Sequence, residues 1–397
     1  MAGLRAAFDL PTKLIYLNGN SLGPLTKAAR ARVEEVLRLQ WGEGLVSSWN
    51  RHQWIELPRS CGEKVAALIG AAPGQVICCD SISINLFKVL AASLQLRPER
   101  DLILSTTDNF PTDLYAGQGL NQLLGEGRCR FEVVESTELL DHLDDSVAAI
   151  MLSHVDYRSG RLADIGAWTR QAHEIGALAI WDLAHSAGVL PVQLDRWQVD
   201  FAVGCGYKYL NGGPGAPAFV YCARRHHGVL NQPLYGWMGH RAAFDFQPVY
   251  EPAHGPASFQ TGTPPILSMA ALDAALGLFE GVDMDAVAAK ARALAEFFLQ
   301  EVEARVALRD LRLESPADAD ERGAQLAFSH PEAYAICRGM AADSVIFDYR
   351  PPRILRLGFS PLFLSFEDVA SAASKLDKFL AQQTYREARF RRHQVVP

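Results

Sequence analysis

The sequence predicts an α/β fold: a large domain with a mostly parallel sheet between helices, followed by a smaller α+β domain. Two patterns predict it. From residue 75 to about residue 220, short apolar runs alternate with helical stretches, which is typical of βαβ units and a buried parallel sheet. After Pro265 long helical patterns take over and only isolated strands remain. The chain has 397 residues, 49% of them hydrophobic, and is long enough for a large core and a second, smaller domain.

The elements of the first part follow one another in a regular order. The N-terminal stretch, to about Gly70, mixes an irregular entry with helical patterns such as Thr26–Gln40. Strands and helices then alternate: strand Gln75–Cys79, helix Ile84–Leu96, strands Asp101–Ser105 and Val147–His154, helix Asp164–Gly176, and strands Ala177–Trp181 and Phe201–Gly204. Asp164 is the predicted N-cap of its helix. Open α/β sheets bind ligands at the carboxyl ends of their strands, so we expect the chemistry just after these strands.

The second part predicts a different arrangement. Its pattern gives helices at Ala270–Gly281 and Asp285–Arg305, strands at Gln325–Ser329 and Ile354–Gly358, and a final helix at Phe366–Leu380. We therefore expect three parts: residues 1–70 as a segment that packs on both domains, residues 71–275 as the large domain and residues 276–397 as the small one.

Composition narrows the class of protein. A net charge of -7 does not indicate a protein that binds nucleic acid or an anionic membrane. Met1–Pro11 lacks a basic region followed by an apolar stretch, and no apolar run reaches the roughly 20 residues of a membrane helix. The seven cysteines have no C-x-x-C spacing, so we expect buried free thiols and no structural metal. A cytoplasmic protein is the simplest reading.

Lys208 is the first candidate for chemistry. It ends a strand and opens a glycine-rich loop, and it is the only lysine between Lys88 and Lys290. A lysine at an apolar strand–loop junction is unfavourable unless its charge is paired or removed, and condensation with an aldehyde cofactor removes it. A surface lysine on a loop fits this segment alone equally well.

Asp182 strengthens that hypothesis. It follows the strand Ala177–Trp181, where a carboxylate can lie under a pyridine nitrogen and keep it protonated. A helix or turn cap is the alternative for this residue alone. His185, three residues further on, could pack near the ring or reach a phosphate, although a lone histidine is more often structural.

Two further features complete the pattern. Asp80–Asn85 follows a strand and opens a helix, so its free N–H groups and the Ser83 hydroxyl make an anion site; a plain N-cap is the alternative. Phe110 follows the strand Asp101–Ser105 and could stack on a pyridine face, or simply cover the core edge. Helix cap, aromatic, aspartate and lysine all fall at strand ends, in that order.

The set resembles the fold-type-I, aspartate-aminotransferase-like enzymes that use pyridoxal 5′-phosphate, and within them the kynureninase family. The resemblance spans nearly the whole chain. Its motifs are Tyr16–Gly23, Trp41–Gly42, Trp49, Asn85–Phe87, Phe110–Asp113, Ser153–Val155, Asp182–His185, Tyr207–Gly215, Gly236–His240, Phe259–Pro265 and Arg356–Pro361. The run Tyr207–Gly215 is the most specific of them. This resemblance implies a seven-stranded sheet in the large domain.

The resemblance also implies roles for individual residues. Lys208 holds the cofactor covalently, Asp182 pairs with the ring nitrogen, and Arg356 binds the substrate carboxylate in a bidentate pair. Tyr207 is the implied proton relay. The implied cofactor contacts are Ile82, Ser83, Phe110, Pro111, Thr112, Asp113, Ser153, Asp182, His185, Tyr207, Lys208, Trp237 and Thr263. Trp237 and Thr263 come from the second subunit of a homodimer with shared sites; relatives often have asparagine at the latter position.

The implied reaction is hydrolysis of the Cβ–Cγ bond of L-kynurenine, and of its 3-hydroxy derivative, to L-alanine and anthranilate or 3-hydroxyanthranilate. This places the enzyme in tryptophan catabolism and NAD biosynthesis. The aryl ring needs an apolar slot, for which Trp49, Trp54 and Phe259 are candidates.

Two alternatives stay open on the residues alone. One is another fold-type-I enzyme, such as a cysteine desulfurase or a class V aminotransferase. Desulfurases commonly have histidine before the lysine, where this chain has Tyr207, and they need a cysteine on a mobile loop. The other is a binding protein that has kept the fold without the activity, which intact Lys208, Asp182 and Arg356 disfavour.

Overall fold

The computed structural model describes residues 4–125 and 127–392. The ends of the first and last predicted parts, residues 1–3 and 393–397, lie outside them. The strands are β1 (Ile15–Tyr16), β2 (Val76–Cys78), β3 (Leu102–Thr106), β4 (Arg130–Val134), β5 (Val147–Ser153), β6 (Leu178–Asp182), β7 (Phe201–Cys205), β8 (Ala218–Cys222), β9 (Arg312–Leu313), β10 (Gln325–Ser329), β11 (Val345–Ile346), β12 (Asp348–Arg350) and β13 (Ile354–Gly358).

The α-helices connect and cover these strands. They are α1 (Lys27–Glu35), α2 (Ser48–Arg51), α3 (Leu57–Leu68), α4 (Ile82–Leu96), α5 (Pro111–Leu124), α6 (Ile165–Glu174), α7 (Ile266–Leu276), α8 (Met284–Ala304), α9 (Ala333–Ala342), α10 (Phe366–Ala381) and α11 (Ala388–Arg391). A π-helical turn, Val36–Trp41, continues α1. The predicted N-cap is confirmed, because the Asp164 side chain accepts from the Ala167 N–H of α6.

Within the described residues, the main sheet has seven strands in the order β2-β8-β7-β6-β5-β3-β4. All neighbouring strands from β7 to β4 are parallel, and only β8 runs against its two neighbours. The central strands are buried on both faces, with an apolar core on each side of the sheet. The predicted α/β class is therefore confirmed, and the ends of β3, β5, β6 and β7 meet at one edge.

Two strands of this sheet escaped prediction. The strand β4 lies at the edge of the sheet and carries Arg130 and Glu132, so it lacks the apolar run of a central strand. The strand β8 follows the glycine-rich loop after Lys208 so closely that the loop masks its pattern. Helix α5 was also missed; it begins at Pro111, whose fixed φ suits the first position of a helix.

The C-terminal part forms a second sheet, antiparallel, in the order β12-β13-β10-β9. Its strands β10 and β13 have the predicted bounds, Gln325–Ser329 and Ile354–Gly358. The N-terminal segment reaches this part, because β1 pairs in parallel with β11. The same segment continues to Gly23, whose N–H donates to the Tyr207 carbonyl over 2.8 Å. One short stretch thus touches both the C-terminal part and the lysine loop.

Three further facts bear on the predicted class. None of the helices in the described ranges is both long and apolar enough to cross a membrane. Among the same residues, no group of three or more His, Cys, Asp or Glu side chains is placed to bind a metal ion. All seven cysteines are buried and free, which confirms the expected thiols.

Candidate active site

A cavity of about 300 Å³ opens at the carboxyl edge of the main sheet. Most predicted site residues line it: Ile82, Ser83, Phe110, Thr112, Asp113, Asp182, His185, Tyr207, Lys208 and Arg356. Four predicted residues lie outside that lining: Pro111, Ser153, Trp237 and Thr263. The cavity also has lining residues for which no individual role was predicted: Ser21, Ser81, Ala184, Cys205, Ala216, Ala218 and Arg350.

Lys208 reaches the cavity from the loop that follows β7. The loop is held from below by Gly23, where a Cβ atom would lie only 2.3 Å from the Lys208 carbonyl oxygen, so no larger residue fits there. The Lys208 Nζ lies 3.1 Å from Nε2 of His185 and 6.0 Å from the ring centroids of Phe110 and Tyr207. The amine therefore lies between the His185 imidazole and two aromatic rings.

Asp182 and Asp113 form a buried pair of carboxyl groups below the lysine. One oxygen of Asp182 accepts from the Ala184 N–H over 2.7 Å. Asp113 is hydrogen-bonded to Asp182 and has no other partner in the described part of the chain. Burial, reinforced by the neighbouring Asp182, raises the pKa of Asp113 well above its usual range. Burial also raises the pKa of Asp182, and the Lys208 ammonium opposes that rise. Asp113 is thus the carboxyl group of the pair that keeps a proton.

His185 is a neutral imidazole beside these groups. Burial, followed by the charges of Lys208 and Arg356, lowers its pKa well below the usual value. Its Nε2 accepts from the lysine, so the proton resides on Nδ1, which has no partner in the chain. Tyr207 is the other uncharged donor, because burial raises the pKa of its hydroxyl.

The opposite wall of the cavity contains the start of α4. Ser81 is the N-cap of this helix, and its hydroxyl accepts from the Ile84 N–H. The first N–H groups of a helix have no acceptor within the helix, and Ile82 and Ser83, which provide them here, line the cavity. Together with the helix dipole they form an anion-binding end.

A network of charges closes the side of the cavity toward the second sheet. Arg356 in β13 pairs across the strands with Asp348 in β12, and its Nε and one terminal nitrogen donate to the two carboxylate oxygens over 2.9 and 2.6 Å. Its other donors reach the Ser21 hydroxyl and the Tyr157 carbonyl. Burial raises the pKa of Asp348, but the charges of Arg356 and Arg350 outweigh it and leave a net lowering.

This network was largely missed from the sequence, which singled out only Arg356. Arg350 also donates to Asp348, over 2.8 Å, and keeps 31% of its side chain exposed. The available signal was the motif Tyr16–Gly23, which contains Ser21 but gives no hint of its partners. With two guanidinium groups and one carboxylate, this end of the cavity has a net positive charge.

The four predicted residues outside the cavity have distinct positions. Pro111 begins α5, and Ser153 ends β5 beside a separate small cavity, with its hydroxyl bonded to Asn109. Trp237 is 37% exposed, and Thr263 is exposed as well. Both are on the surface of this single chain, away from the lysine.

Known structures resemble this fold closely. The cystine C-S lyase C-DES, solved as a mutant with glycine covalently linked to the PLP cofactor, superposes with a TM-score of 0.81 at 17% identity, over 94% of this chain and 98% of that one. A cysteine desulfurase from Thermococcus onnurineus NA1 gives a TM-score of 0.79 at 17% identity, over 96% and 98% of the two chains. At such low identity these likenesses establish the fold.

Sequence relatives are much closer. A family model described as the kynureninase C-terminal domain matches residues 287–376. A kynureninase of Pseudomonas fluorescens is 44% identical over 401 residues, covering 100% of this chain and 96% of the relative. A kynureninase of Burkholderia pseudomallei (strain 1106a) is 47% identical over 394 residues, covering 98% of this chain and 95% of the relative. Identity of this extent, along the whole length of the fold described above, shows that the chain belongs to the kynureninase family.

Proposed function

We propose that this chain is an enzyme that uses pyridoxal 5′-phosphate to hydrolyse the Cβ–Cγ bond of L-kynurenine, with L-alanine and anthranilate as products. One observation carries the proposal beyond family membership. One cavity contains a group for each part of the cofactor. A lysine suits its aldehyde, a buried carboxyl pair its ring nitrogen, an aromatic face its pyridine ring, and a helix N-terminus its phosphate.

The residues fit this cofactor in a way that can be checked atom by atom. Nδ1 of His185 is buried without a partner, and buried polar atoms are rarely left so in native proteins. A ring hydroxyl is the kind of group that complements this N–H, and a protonated ring nitrogen complements the buried Asp182 carboxylate. The start of α4 suits the phosphate, Phe110 the ring face, and Lys208 the aldehyde.

When bound, the cofactor supplies an electron sink for the substrate's Cα and Cβ. The chain supplies positions and protons. The Lys208 amine, once displaced by the amino group of the substrate, lies where it can take the Cα proton, and neutral His185 accepts a hydrogen bond from it. The Tyr207 hydroxyl keeps its proton and lines the same cavity as the lysine, so it is the proposed donor that returns a proton to the leaving carbon. Water adds to the γ-carbonyl.

Arg356 is the proposed partner of the substrate α-carboxylate, and Arg350 assists it. Asp348 already occupies one edge of the Arg356 guanidinium. The carboxylate therefore approaches the other edge, where it replaces the Ser21 hydroxyl or the Tyr157 carbonyl as acceptor. The net positive charge of the two arginines and Asp348 favours an anionic ligand on that side. Cys205 and Ala184 line the floor of the cavity and leave room for a flat ring.

A homodimer with shared active sites is part of the proposal. Trp237 lies in an exposed aromatic cluster with Phe244 and Phe246, at centroid distances of 5.5 and 6.0 Å, and these two rings are 59% and 75% exposed. Exposed apolar clusters mark interaction surfaces. A second copy packed on this cluster allows Trp237 and Thr263 of each chain to reach the phosphate in the other.

Further parts of the proposal come from the family and the sequence. We also propose a division of the chain into residues 1–70, 71–275 and 276–397, a cytoplasmic location, a place in NAD biosynthesis, and action on 3-hydroxy-L-kynurenine. We further propose that Pro111, Ser153 and the other residues named from the resemblance contact the cofactor.

A desulfurase is less well supported than its fold similarity suggests. Transfer of sulfur needs an accessible thiol, and every cysteine of this chain is buried. Burial raises the pKa of Cys337 well above its ordinary value, which disfavours a reactive thiolate.

The proposal is tested with purified protein, pyridoxal 5′-phosphate and L-kynurenine. We expect anthranilate, followed by its fluorescence, and L-alanine in equal amounts. Lys208→Ala should remove both turnover and the visible absorbance of the lysine-bound cofactor. Equimolar products from the Lys208→Ala variant, or keto-acid formation by the unmodified enzyme, would overturn the assignment.

A further inference from the structure

Lys88, on α4, is a buried cation that the proposed reaction does not use. Its side chain is completely inaccessible to solvent, and its Nζ donates to an Asp80 carboxylate oxygen and to the Phe259 carbonyl, both over 2.5 Å. Burying an ammonium group is costly, and an apolar side chain of similar volume is often neutral or better for stability. The ion pair therefore calls for a role other than stability.

The first segment that Lys88 holds is the anion-binding end of the cavity. Asp80 directly precedes the N-cap Ser81, and it has a left-handed backbone with φ of 47°. Its carboxylate also accepts from the Thr261 hydroxyl over 3.1 Å. Lys88 and Thr261 thus hold Asp80 from two sides. Because Asp80 leads directly into α4, they also set the direction in which the N–H groups of Ile82 and Ser83 point.

The second segment is the surface region that carries Trp237 and Thr263. Phe259, whose carbonyl accepts from Lys88, lies four residues before Thr263. The Thr261 carbonyl also accepts a hydrogen bond from the Met238 N–H. A Cβ atom at Gly236 would lie 2.2 Å from the same carbonyl oxygen, so the backbone before Trp237 rests directly on Thr261.

We propose that Lys88 is a positioning residue for the cofactor phosphate. Through Asp80 it orients the N–H groups of the chain's own anion site, and through Phe259 it sets the segment that the chain offers to its neighbour's site. The inference rests on the proposed function, because it concerns the phosphate of pyridoxal 5′-phosphate and the proposed dimer.

The test compares two ligands that differ only in the phosphate. Apoenzyme carrying Lys88→Met is titrated with pyridoxal 5′-phosphate and, separately, with pyridoxal, and binding is followed by the visible absorbance that depends on Lys208. We expect the affinity for the phosphorylated ligand to fall about tenfold or more, as for loss of a charged hydrogen bond. The affinity for pyridoxal should stay within about twofold, and a parallel loss for both ligands would overturn the inference.

Lys64→Met is the matched control. Lys64 also pairs with an aspartate, Asp273, over 2.6 Å, but neither residue lines the cavity. Its loss should leave the ratio of the two affinities unchanged, and an equal change in that ratio would contradict a specific role for Lys88.

A gentler variant decides the question if Lys88→Met does not fold. Thr261→Val removes only the hydroxyl that donates to the Asp80 carboxylate, and it keeps the ion pair between Lys88 and Asp80. We expect a smaller fall, about threefold to tenfold, again confined to the phosphorylated ligand; no change in the ratio would sink the inference. Failure of the unmodified protein to bind either ligand would instead refute the proposed function, so the two failures are distinguishable.

Discussion

The two ends of the cavity differ in how far the chain satisfies its own polar groups. At the end toward the second sheet, Arg356 has its donors occupied by Asp348, Ser21 and the Tyr157 carbonyl. Below the lysine, Asp113 has no partner except Asp182, and Nδ1 of His185 is buried without one. A folded chain rarely leaves buried polar atoms unpaired. The first end is therefore organised in advance by the fold, apart from the buried Nε of Arg350, which has no partner, whereas the second is complementary to a bound group.

The largest effect should follow from breaking the organised end. Arg356→Ala removes the proposed carboxylate partner and leaves Asp348 poorly compensated in a buried site. We expect kcat/KM to fall roughly a hundredfold to a thousandfold, or about 3 to 4 kcal/mol, with KM raised and kcat lowered. Steady-state kinetics with L-kynurenine measures both constants.

Arg350→Ala is the matched comparison for Arg356→Ala. Arg350 pairs with the same carboxylate but is partly exposed, so its loss should reduce kcat/KM about tenfold or less. A larger loss for Arg350→Ala than for Arg356→Ala would transfer the role of carboxylate clamp to Arg350.

The second prediction concerns the unpaired end. Because burial raises the pKa of Asp113 and keeps it protonated, Asp113→Asn replaces one neutral hydrogen-bonding group by another. We expect kcat to stay within about tenfold of the unmodified enzyme, whereas Asp182→Asn should lower it a hundredfold or more by removing the charge that faces the ring nitrogen. Equal losses in the two variants would mean that Asp113 carries the charge.

These two ends also show what the sequence could predict. Lys208, Asp182 and Phe110 each follow a strand, and parallel strands bring their carboxyl ends to one edge, so local pattern was enough to bring them together. The Ser21 hydroxyl and the Asp348 carboxylate meet from positions 327 residues apart. No periodicity or spacing encodes such a contact, since it depends on how the N-terminal segment lies against the second sheet.

The smaller surprises have local causes. The edge strand β4 alternates charged and apolar residues, so it lacked the continuous apolar run by which the central strands were recognised. Lys88 received no role because a lysine in a helical pattern is usually exposed, and only the fold reveals its complete burial. Trp237 and Thr263 could be named only from the resemblance, because nothing within one chain brings them to the lysine.

The last prediction concerns the stability of the residues that support the cavity and not its chemistry. His154 follows β5, and its N–H donates to the Asp182 carbonyl over 2.9 Å. Burial lowers its pKa to about 4, although Asp164 partly opposes the shift. The unfolded chain, with a histidine pKa of about 6.5, therefore binds more protons than the folded one between these values. This group should lower the free energy of unfolding as pH falls from about 6.5 to about 4, by up to about 3 kcal/mol.

Urea unfolding at several pH values in this window measures that loss. His154→Phe and His154→Gln both remove the titrating group, so both should flatten the pH dependence to a similar degree, whatever each does to stability at neutral pH. The pair of variants separates titration from packing, because only packing and polarity differ between them. If the slope of the free energy of unfolding between pH 6.5 and 4 is unchanged in both variants, the prediction is wrong. His154 would then take up a proton in the folded chain as readily as in the unfolded one, despite its burial.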